Sequence, residues 1–577
     1  MKDGTFTADR LLALYDRVAE AEDAIPRLRR FVLDLAVRGK LVEQDLSDEP
    51  ATELLKRIAK EKARLVKAGE IRKPKPFDPI DEPPFAVPAN WAWSRMREVT
   101  ADRGQMIPNT RFTYIDVSAI NKEAGVIEAP TVLEPAEAPS RARKIVRKGD
   151  VIYSCVRPYL LNVAVVEDEI EPAPIASTAF AIINGLGLIL PRYIWIVLRS
   201  PFMVAAVEET QRGQAYPAIN DSDFAVLPFP LPPLAEQHRI VAKVDELMAL
   251  CDRLEGARTG REAVRDLLTA ATLARLTAPE TDAETFPTHA RFALQTLPTL
   301  TTREGQIKTL RQTILNLAVR GKLVEQDPTD EPAVDYVFGL NELPAKARKQ
   351  LKPLDPEDCG GLLPSGWAWL PLGSIIGNMD AGWSPQCENH PRFFESEWGI
   401  LKTTAVQALS FDSAQHKLLP QKLRPRPEYQ AEVGDILVTR AGPKNRVGVS
   451  CVVDVPCPRL MISDKLIRFH AAGELSPLYL ALTLNAGYTF ERMEAAKSGM
   501  AVMQMNISQE KLRAIPIPLP PLAEQHRIVA KVDALMALCD QLESSLTTAT
   551  TTRSRLLEAL LHEALGGAPG DQAEVAA

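Results

Sequence analysis

The chain repeats one long segment almost unchanged, and this constrains its fold more than any other feature. PLPPLAEQHRIVAKVDELMALCDRLE begins at Pro230, and PLPPLAEQHRIVAKVDALMALCDQLE begins at Pro518. The copies differ only at Glu246/Ala534 and Arg253/Gln541. Two segments this similar fold alike, so the same element has to occur twice in the structure. The sequence between them has diverged far more, and both rates of change need a physical reason.

Shorter repeats lie in the same order along both halves. They are LAVRGKLVEQD at 35–45 and 317–327, each followed by DEPA; PANWAW from Pro88 and PSGWAW from Pro364; GDVIYS from Gly149 and GDILVT from Gly434; and PRYIWIVL from Pro191 and PLYLALTL from Pro477. Chance matches would not keep one order along the whole length. We therefore interpret the chain as a tandem duplication that kept its helices and diversified its inner segments.

The repeated segments carry apolar residues at the spacing of a helical seam. The seam residues are Ile240, Val244, Leu247, Cys251 and Leu254, repeated as Ile528, Val532, Leu535, Cys539 and Leu542. This 4-3-4-3 spacing predicts two long helices that pack antiparallel through a coiled-coil seam. A lead helix precedes LAVRGK in each half. Its seam residues are Ile25, Leu28, Val32 and Leu35, repeated as Ile307, Leu310, Ile314 and Leu317.

The repeats also predict the order of domains. We expect an N-terminal helical segment (1–70), an inner domain (85–233), a central long helix (234–276), the lead helices of the second half (301–350), a second inner domain (360–520), a C-terminal long helix (521–565) and a disordered tail (566–577). A Thr/Ala/Pro stretch at about 277–300 separates the halves.

The inner domains mix two kinds of element. Apolar runs such as DVIYSCV, AFAIIN and DILVTRA predict strands, whereas PRYIWIVLRS and SPLYLALTLNA predict helices. The predicted fold class is therefore α+β: two α/β domains separated by long antiparallel coiled-coil helices, with a pseudo-twofold internal repeat.

Composition excludes several classes of protein. The seven cysteines are scattered without a CxxC pair, which argues against a disulfide framework or a zinc ribbon and favours the cytoplasm. No apolar run approaches the roughly 18 to 20 residues that span a bilayer, and MKDGTFTADR is not a secretory signal. The net charge of −7 means that any contact with nucleic acid has to come from local basic clusters.

We find no catalytic or metal-binding constellation in the sequence. Arg38-Gly39-Lys40 resembles part of a phosphate loop, but Leu follows the lysine and the first glycine is missing. A helix C-cap at Gly39 explains this turn better. His238 and His526 have no suitable partner at i+3 or i+4. The chain is therefore predicted to be non-catalytic, with no metal and no bound cofactor.

Basic residues cluster at matched places in the two inner domains. Residues 140–160 contain six Arg or Lys and one Asp, and residues 417–446 contain seven basic and three acidic residues; each cluster brackets a Gly-Asp turn. Arg, Asn and Gln suit base edges, and Lys suits phosphates. One such cluster is as often a solvated surface, but two at matching places favour a ligand face. The candidate DNA-binding residues are Arg141, Arg143, Lys144, Arg157, Tyr159, Gln214 and Tyr216, and Arg440, Lys444, Asn445, Arg446 and Lys465.

The paired LPPLAEQHRIV helices, the GKLVEQD turn with its DEPA, and the inner domains with WAW and GD resemble, over nearly the whole chain, the specificity subunit of type I restriction-modification enzymes. The resemblance implies that each inner domain is a target recognition domain that reads one half of a split double-stranded DNA site. It also implies that the helices space these domains and dock two methyltransferase subunits. The candidate docking residues are Glu236, Gln237, His238 and Arg239, and their copies Glu524, Gln525, His526 and Arg527.

The same resemblance assigns the chemistry to other subunits. The assembled complex would be a site-specific deoxyribonuclease and adenine DNA methyltransferase of phage defence. S-adenosylmethionine, ATP and Mg²⁺ would lie on the methyltransferase and restriction subunits. On this interpretation the long helices stay identical because they dock identical partners, and the recognition domains diverge because they read different bases.

Two other classes of protein stay open at this point. A stand-alone DNA-binding regulator would show the same basic loops but would not need two identical docking helices. A coiled-coil scaffold would have the helices without matched basic turns. Co-purification with a methyltransferase would separate the specificity subunit from both.

Overall fold

The computed structural model describes residues 8–18, 21, 23–71, 76–212, 217–277, 285–339, 353–499 and 501–565. The chain divides into two compact units. The first consists of Met1–Arg261 and Ala549–Ala577, and the second is Glu262–Thr548. The first unit thus combines the first half of the chain with the end of the C-terminal long helix.

The first half alternates helices with short strands. Its helices are α1 (Ala8–Val18), α2 (Ala24–Val37), α3 (Ala51–Lys67), α4 (Met96–Val99), α5 (Pro191–Arg199), α6 (Pro201–Thr210), α7 (Asp221–Ala225) and α8 (Leu234–Thr277). Its strands are β1 (Ala92–Arg95), β2 (Phe112–Ile115), β3 (Ile120–Asn121), β4 (Val126–Ile127), β5 (Thr131–Leu133), β6 (Ala142–Ile145), β7 (Asp150–Ser154), β8 (Val163–Val165), β9 (Pro174–Ser177), β10 (Phe180–Asn184) and β11 (Pro228–Leu231).

Two small sheets form the inner domain of the first unit. One has the strand order β10-β7-β8 and is antiparallel, with the fully buried β7 at its centre. The other has the order β5-β2-β9-β6, in which β2 and β9 are parallel. A separate antiparallel pair, β1 with β11, joins the two ends of the inner domain immediately before α8 begins.

The second half repeats this plan. Its helices are α9 (Phe286–Leu300), α10 (Glu304–Ala318), α11 (Ala333–Gly339), α12 (Pro477–Leu484), α13 (Gly487–Ala496), α14 (Gln509–Arg513) and α15 (Leu522–Ala564). Its strands are β12 (Ala368–Pro371), β13 (Ile376–Ala381), β14 (Gly399–Leu401), β15 (Val406–Gln407), β16 (Ser410–Phe411), β17 (His416–Leu418), β18 (Ile436–Thr439), β19 (Ala441–Gly442), β20 (Ser450–Val452), β21 (Leu460–Met461), β22 (Leu466–Ala471), β23 (Met505–Asn506) and β24 (Pro516–Leu519).

The sheets of the second unit match those of the first. The order β13-β22-β18-β20 again contains the Gly-Asp strand, now β18, and β17-β14-β21 again contains a parallel pair, now β14 with β21. The pair β12 with β24 joins the ends of this inner domain before α15. The predicted fold class, α+β, is confirmed, and the predicted strands and helices of the inner domains form β7, β10, β18, α5 and α12.

The lead helix α2 ends in a glycine turn that contacts the WAW segment. Gly39 has a φ of +68°, and Lys40 N–H donates to the Leu35 carbonyl at 2.9 Å, so the predicted helix C-cap is confirmed. A side chain could not be added here, because a Cβ at Gly39 would lie 2.4 Å from Cγ of Pro88. Gly321 has the same relation to Pro364, again at 2.4 Å. Close approach and positive φ together require glycine at both turns.

The seams of the long helices are buried in their first halves. Ile240, Val244, Leu247 and Cys251 share one core with Leu28 and other residues of α2. Ile528, Val532 and Cys539 share another with residues of α10. Each seam therefore packs on the lead helix of its own half, a partner that the sequence analysis did not assign to it. In the first unit, α15 also contributes residues from its end to the same core.

Each long helix belongs to both units. In the second unit, Leu273 and Leu276 at the end of α8 pack with residues of α9 and α10. In the first unit, Leu557 and Leu560 near the end of α15 pack with Ala24 of α2. One unbroken helix thus supplies its start to one unit and its end to the other.

The Thr/Ala/Pro stretch at about 277–300, to which the sequence assigned no element, contains a helix. Helix α9 occupies Phe286–Leu300. Phe286, Ala290, Ala293 and Leu297 follow helical spacing and pack against the end of α8. The Thr/Ala/Pro composition concealed this spacing, because proline is tolerated in the first turn of a helix. Residues 278–284, 340–352 and the predicted tail at 566–577 lie outside the described residues.

Candidate nucleic-acid interface

The Gly-Asp turn enters the central strand of each inner domain in the same way. Gly149 and Gly434 have φ values of +82° and +94°. The aspartates that follow them are fully buried. Asp150 accepts a hydrogen bond from Arg147 N–H at 2.9 Å, and Asp435 accepts one from Glu432 N–H at 2.8 Å. These turns fix the start of β7 and β18, and hence the place where the loop after each strand emerges.

In the first unit, the loop after β7 pairs with a second loop. Val156 forms a bridge with Ala218, and Arg157 N–H donates to the Pro217 carbonyl at 2.8 Å. Arg212 forms a second bridge with Ala218. The first loop pair is thus residues 155–161 with 212 and 217–218.

In the second unit, the loop after β18 pairs in the same manner. The strand pair β19–β23 joins the two loops, and Lys444 N–H donates to the Val502 carbonyl at 2.8 Å. Arg440 N–H donates to the Lys465 carbonyl at 2.7 Å, which places Lys465 at the base of this surface. The second loop pair is residues 440–446 with 498–499 and 501–506. Both units therefore build paired loops at the same place.

The candidate DNA-binding residues differ in their accessibility. Exposed side chains belong to Arg141, Tyr159, Lys444, Asn445 and Lys465. Half-buried side chains belong to Arg143, Arg157, Arg440 and Arg446. Gln214 and Tyr216 lie outside the described residues. Nine of the predicted residues, those named here as exposed or half-buried, thus remain accessible to a ligand.

Lys144 and Arg446 are each held by several groups of their own unit. Lys144 is only 3% exposed and forms ion pairs with Asp102 at 3.3 Å and Asp221 at 3.4 Å. The Arg446 guanidinium donates to Gln407 Oε1 and to the carbonyls of residues 403 and 406. Lys144 is buried and neutralised, so its prediction as a DNA contact is wrong, whereas Arg446 holds the β15–β16 hairpin and its contact with DNA stays a prediction.

The start of each long helix is locked to the rest of its unit by a buried glutamate. Glu236 accepts hydrogen bonds from Trp91 Nε1 at 2.9 Å and from Gln44 Nε2 at 2.5 Å. Glu524 accepts from Trp367 Nε1 at 2.9 Å and Gln326 Nε2 at 3.0 Å. We call each set of three residues the helix-start lock. Burial raises the pKa of both glutamates, although the hydrogen bonds that they accept oppose the shift.

The neighbouring residues of the motif also point into the unit. Gln237 Oε1 accepts from Leu190 N–H at 3.0 Å, and Gln525 Oε1 accepts from Ser476 N–H at 3.0 Å. Arg239 pairs with Asp48 at 2.6 Å. In the second unit, Arg527 pairs with Asp330 at 2.7 Å.

Four of the eight predicted docking residues are therefore inaccessible to a partner subunit. The side chains of Glu236, Gln237, Glu524 and Gln525 are buried, so they are not available to a partner subunit. The arginines are ion-paired within their units. Only His238 and His526 are exposed. The sequence nonetheless carried a signal for the helix-start lock. The segments that meet at the lock are GKLVEQD, DEPA, WAW and LPPLAEQHR, and these are also the most similar repeats of the two halves.

Two features are absent from the part of the chain that the structure describes: a metal-binding cluster and a membrane-spanning helix. No group of three or more His, Cys, Asp or Glu residues is arranged to hold a metal ion there. No helix in that part is long and apolar enough to cross a membrane.

Comparisons with known proteins identify one family. The family described as "Type I restriction modification DNA specificity domain" matches residues 423–549. The chain is 41% identical over 571 residues to the type I restriction enzyme EcoEI specificity subunit of Escherichia coli, covering 94% of each chain. It is 30% identical over 580 residues to the EcoAI specificity subunit of the same species, again covering 94% of each.

A solved structure is similar as well. It is described as "Structural basis underlying complex assembly and conformational transition of the type I R-M system". The match has a TM-score of 0.52 and 26% identity, and it covers 83% of this chain and 99% of the other.

Proposed function

Because this chain belongs to the specificity subunits of type I restriction-modification enzymes, we propose that its two inner domains each read one half of a bipartite, asymmetric DNA target. The subunit itself is non-catalytic, and it recognises DNA for the assembled complex. Membership in this family removes the stand-alone regulator and the scaffold as interpretations of the whole chain.

The observation that carries the proposal is the pair of matched loop surfaces. Each unit places basic residues on loops that emerge beside a buried Gly-Asp strand, and a second loop pairs with each of them. The first loop pair carries Arg157 and Tyr159, and the second carries Arg440 and Lys444. The two inner domains share the supporting framework but expose different residues. Two domains that recognise different bases require this combination.

The helices supply the proposed docking surface for two methyltransferase subunits. His238 and His526 are exposed at matched places near the starts of α8 and α15. Further along α8, Val264, Leu267 and Leu268 are exposed at helical spacing, and an apolar stripe of this kind suits a partner helix. Restriction subunits would join the same complex. S-adenosylmethionine, ATP and Mg²⁺ would be bound by those partners, and we propose the cytoplasm as the compartment.

The DNA surface can be tested on the second loop pair. Replacing Arg440 and Lys444 together by Ala, in the chain assembled with its methyltransferase, is expected to weaken binding to target duplex. The dependence of log K on log salt should become shallower by up to about 0.9 for each lost phosphate contact. The measurement is a binding titration at several salt concentrations.

A matched control removes two cations elsewhere in the same unit. Lys308→Ala with Lys531→Ala changes exposed lysines on helices and should leave the salt dependence of DNA binding unchanged. If the Arg440 and Lys444 variant binds DNA with the wild-type affinity and salt dependence, the second loop pair is not the DNA surface.

A further inference from the structure

Two neighbouring apolar side chains project from the second loop pair. Val502 is 68% exposed and Met503 is 69% exposed. Exposed apolar residues are ordinary when they are scattered, but an adjacent pair on a binding surface suggests a contact. Neither residue carries a charge or hydrogen-bonding group that would explain its position in water.

The backbone holds this apolar pair beside the basic loop. The Val502 carbonyl accepts from Lys444 N–H, and Gln504 N–H donates to the Ala501 carbonyl at 2.9 Å to close the turn. The antiparallel pairs Ala441 with Asn506 and Gly442 with Met505 anchor the base of the loop. The side chains of Val502 and Met503 are therefore presented by a fixed framework.

The surroundings of the pair are positive. The facing loop carries Arg440 and Lys444, and Asn445 is exposed next to them. The described residues between 498 and 506 contain no acidic side chain. A surface of this charge suits DNA better than a second copy of this chain, whose net charge is −7.

We propose that Val502 and Met503 determine specificity by contacting the C5-methyl group of a thymine in the major groove. This proposal rests on the proposed DNA-reading function of the second loop pair and assigns to it one chemical feature of the target. The thymine methyl is the apolar group that base edges display in that groove, and apolar side chains recognise it by burial. Lys444 and Arg440 would contact phosphates nearby, and Asn445 has the amide geometry for an adjacent base edge.

The test removes the methyl from DNA and its partner from the protein. Each thymine of the methylated target is replaced in turn by uracil, which pairs identically but lacks the methyl. The wild-type chain, assembled with its methyltransferase, should bind the duplex about fourfold more weakly when uracil replaces one particular thymine. This is the effect of one buried methyl group. The Val502→Ala, Met503→Ala variant should bind both duplexes equally, because the contact is already lost.

Two controls keep the result interpretable. Leu362→Ala removes an even more exposed apolar residue of the same unit, and it should retain the wild-type response to uracil. The Arg440→Ala, Lys444→Ala variant should bind more weakly overall yet still respond to uracil. Wild-type binding by this last variant would refute the second loop pair as the DNA surface and the methyl contact with it, whereas weakened binding without any response to uracil would refute the methyl contact alone.

Three results would overturn the inference. The target could contain no thymine, or no uracil substitution could affect the wild type more than the Val502→Ala, Met503→Ala variant. The same variant could also fail to co-purify with the methyltransferase, which would assign the apolar pair to a protein interface.

Discussion

Inserting four residues into each long helix, near Ala257 and Ser545, is expected to lengthen the unread spacer of the DNA target by one or two base pairs. The bases read in each half should stay the same, because no loop pair changes. Methylation at the original sites should be lost, since the complex would now select a different spacing. Mapping of methylated sites for the variant with its methyltransferase measures both effects.

The expected shift follows from the continuity of α8 and α15. Residues of α8 up to Arg261 belong to the first unit, and those from Glu262 belong to the second. Four residues add roughly 6 Å to a helix and turn it by little more than one full turn, so its faces stay nearly aligned. At about 3.4 Å per base pair, this length corresponds to one or two pairs. The insertion points lie next to the boundary between the units in both helices.

The same four residues inserted after Leu565 serve as the control. This position follows the end of α15 and should leave the target unchanged. If the helix insertions change the bases of a half-site and leave the spacer at its original length, the long helices do not set the spacing.

The helix-start lock should contribute strongly to stability. Replacing Glu236 by Ala removes the acceptor of the buried Trp91 Nε1, whereas Gln44 Nε2 keeps the Gly39 carbonyl at 3.3 Å. A buried donor without a partner costs about 1–3 kcal/mol, so we expect the free energy of unfolding to fall by about 1–3 kcal/mol. Glu524→Ala should have an effect of similar size in the second unit. Chemical denaturation followed by tryptophan fluorescence measures both losses.

Glu246→Ala is the matched control for the lock. Glu246 is an exposed glutamate on the same helix, and the second copy has Ala at this place, Ala534. Its replacement should change the free energy of unfolding by less than about 0.5 kcal/mol. Equal losses from Glu236→Ala and Glu246→Ala would show that the lock does not hold the unit together.

The lock also predicts a dependence on pH. Burial raises the pKa of Glu236 above its ordinary value of 4.5. The folded state therefore keeps the proton at pH values where the unfolded chain has lost it, and stability falls as the pH rises from 4.5 through the folded pKa. Glu236→Gln keeps an acceptor oxygen but does not titrate, so its stability should vary less over this range. If the stability of the Glu236→Gln variant depends on pH as the wild type does, Glu236 is not the group that causes this dependence.

Much of the fold could be predicted because the duplication supplies every signal twice. The seam of Ile240, Val244 and Leu247 predicted a long helix, and α8 follows it. Glycine at Gly149 and Gly434 marked the turn into the central strand, where a positive φ is required. Matching basic runs predicted a ligand-binding surface at the loops after β7 and β18. In each of these cases the local pattern alone determines the local structure.

The errors have a common physical cause. Lys144 lies in a basic run, yet its partners Asp102 and Asp221 are distant in sequence. A charged side chain that is neutralised by tertiary contacts has the same sequence signature as one that faces DNA. Glu236 was misassigned for the same reason, because Gln44 and Trp91 reach it only in the folded unit.

The lock changes the explanation of the near-identical helices. Identical docking partners were expected to keep LPPLAEQHR unchanged, but most of its polar residues have partners within the unit. The same set of contacts occurs in both units, so the motif and the segments that it contacts are constrained together. The exposed loop residues are free of these contacts and could diverge.

The central claim is that each unit reads its own half of one bipartite target, and site mapping after an exchange of one domain tests it most directly. Residues 372–515 would be replaced by the corresponding segment of the EcoEI specificity subunit, and methylated sites would be mapped for both chains with the methyltransferase. We expect two short blocks of specified bases separated by a fixed spacer, with one block changed by the exchange and the other block kept. A continuous target, or a change in both blocks after the exchange, would contradict the account.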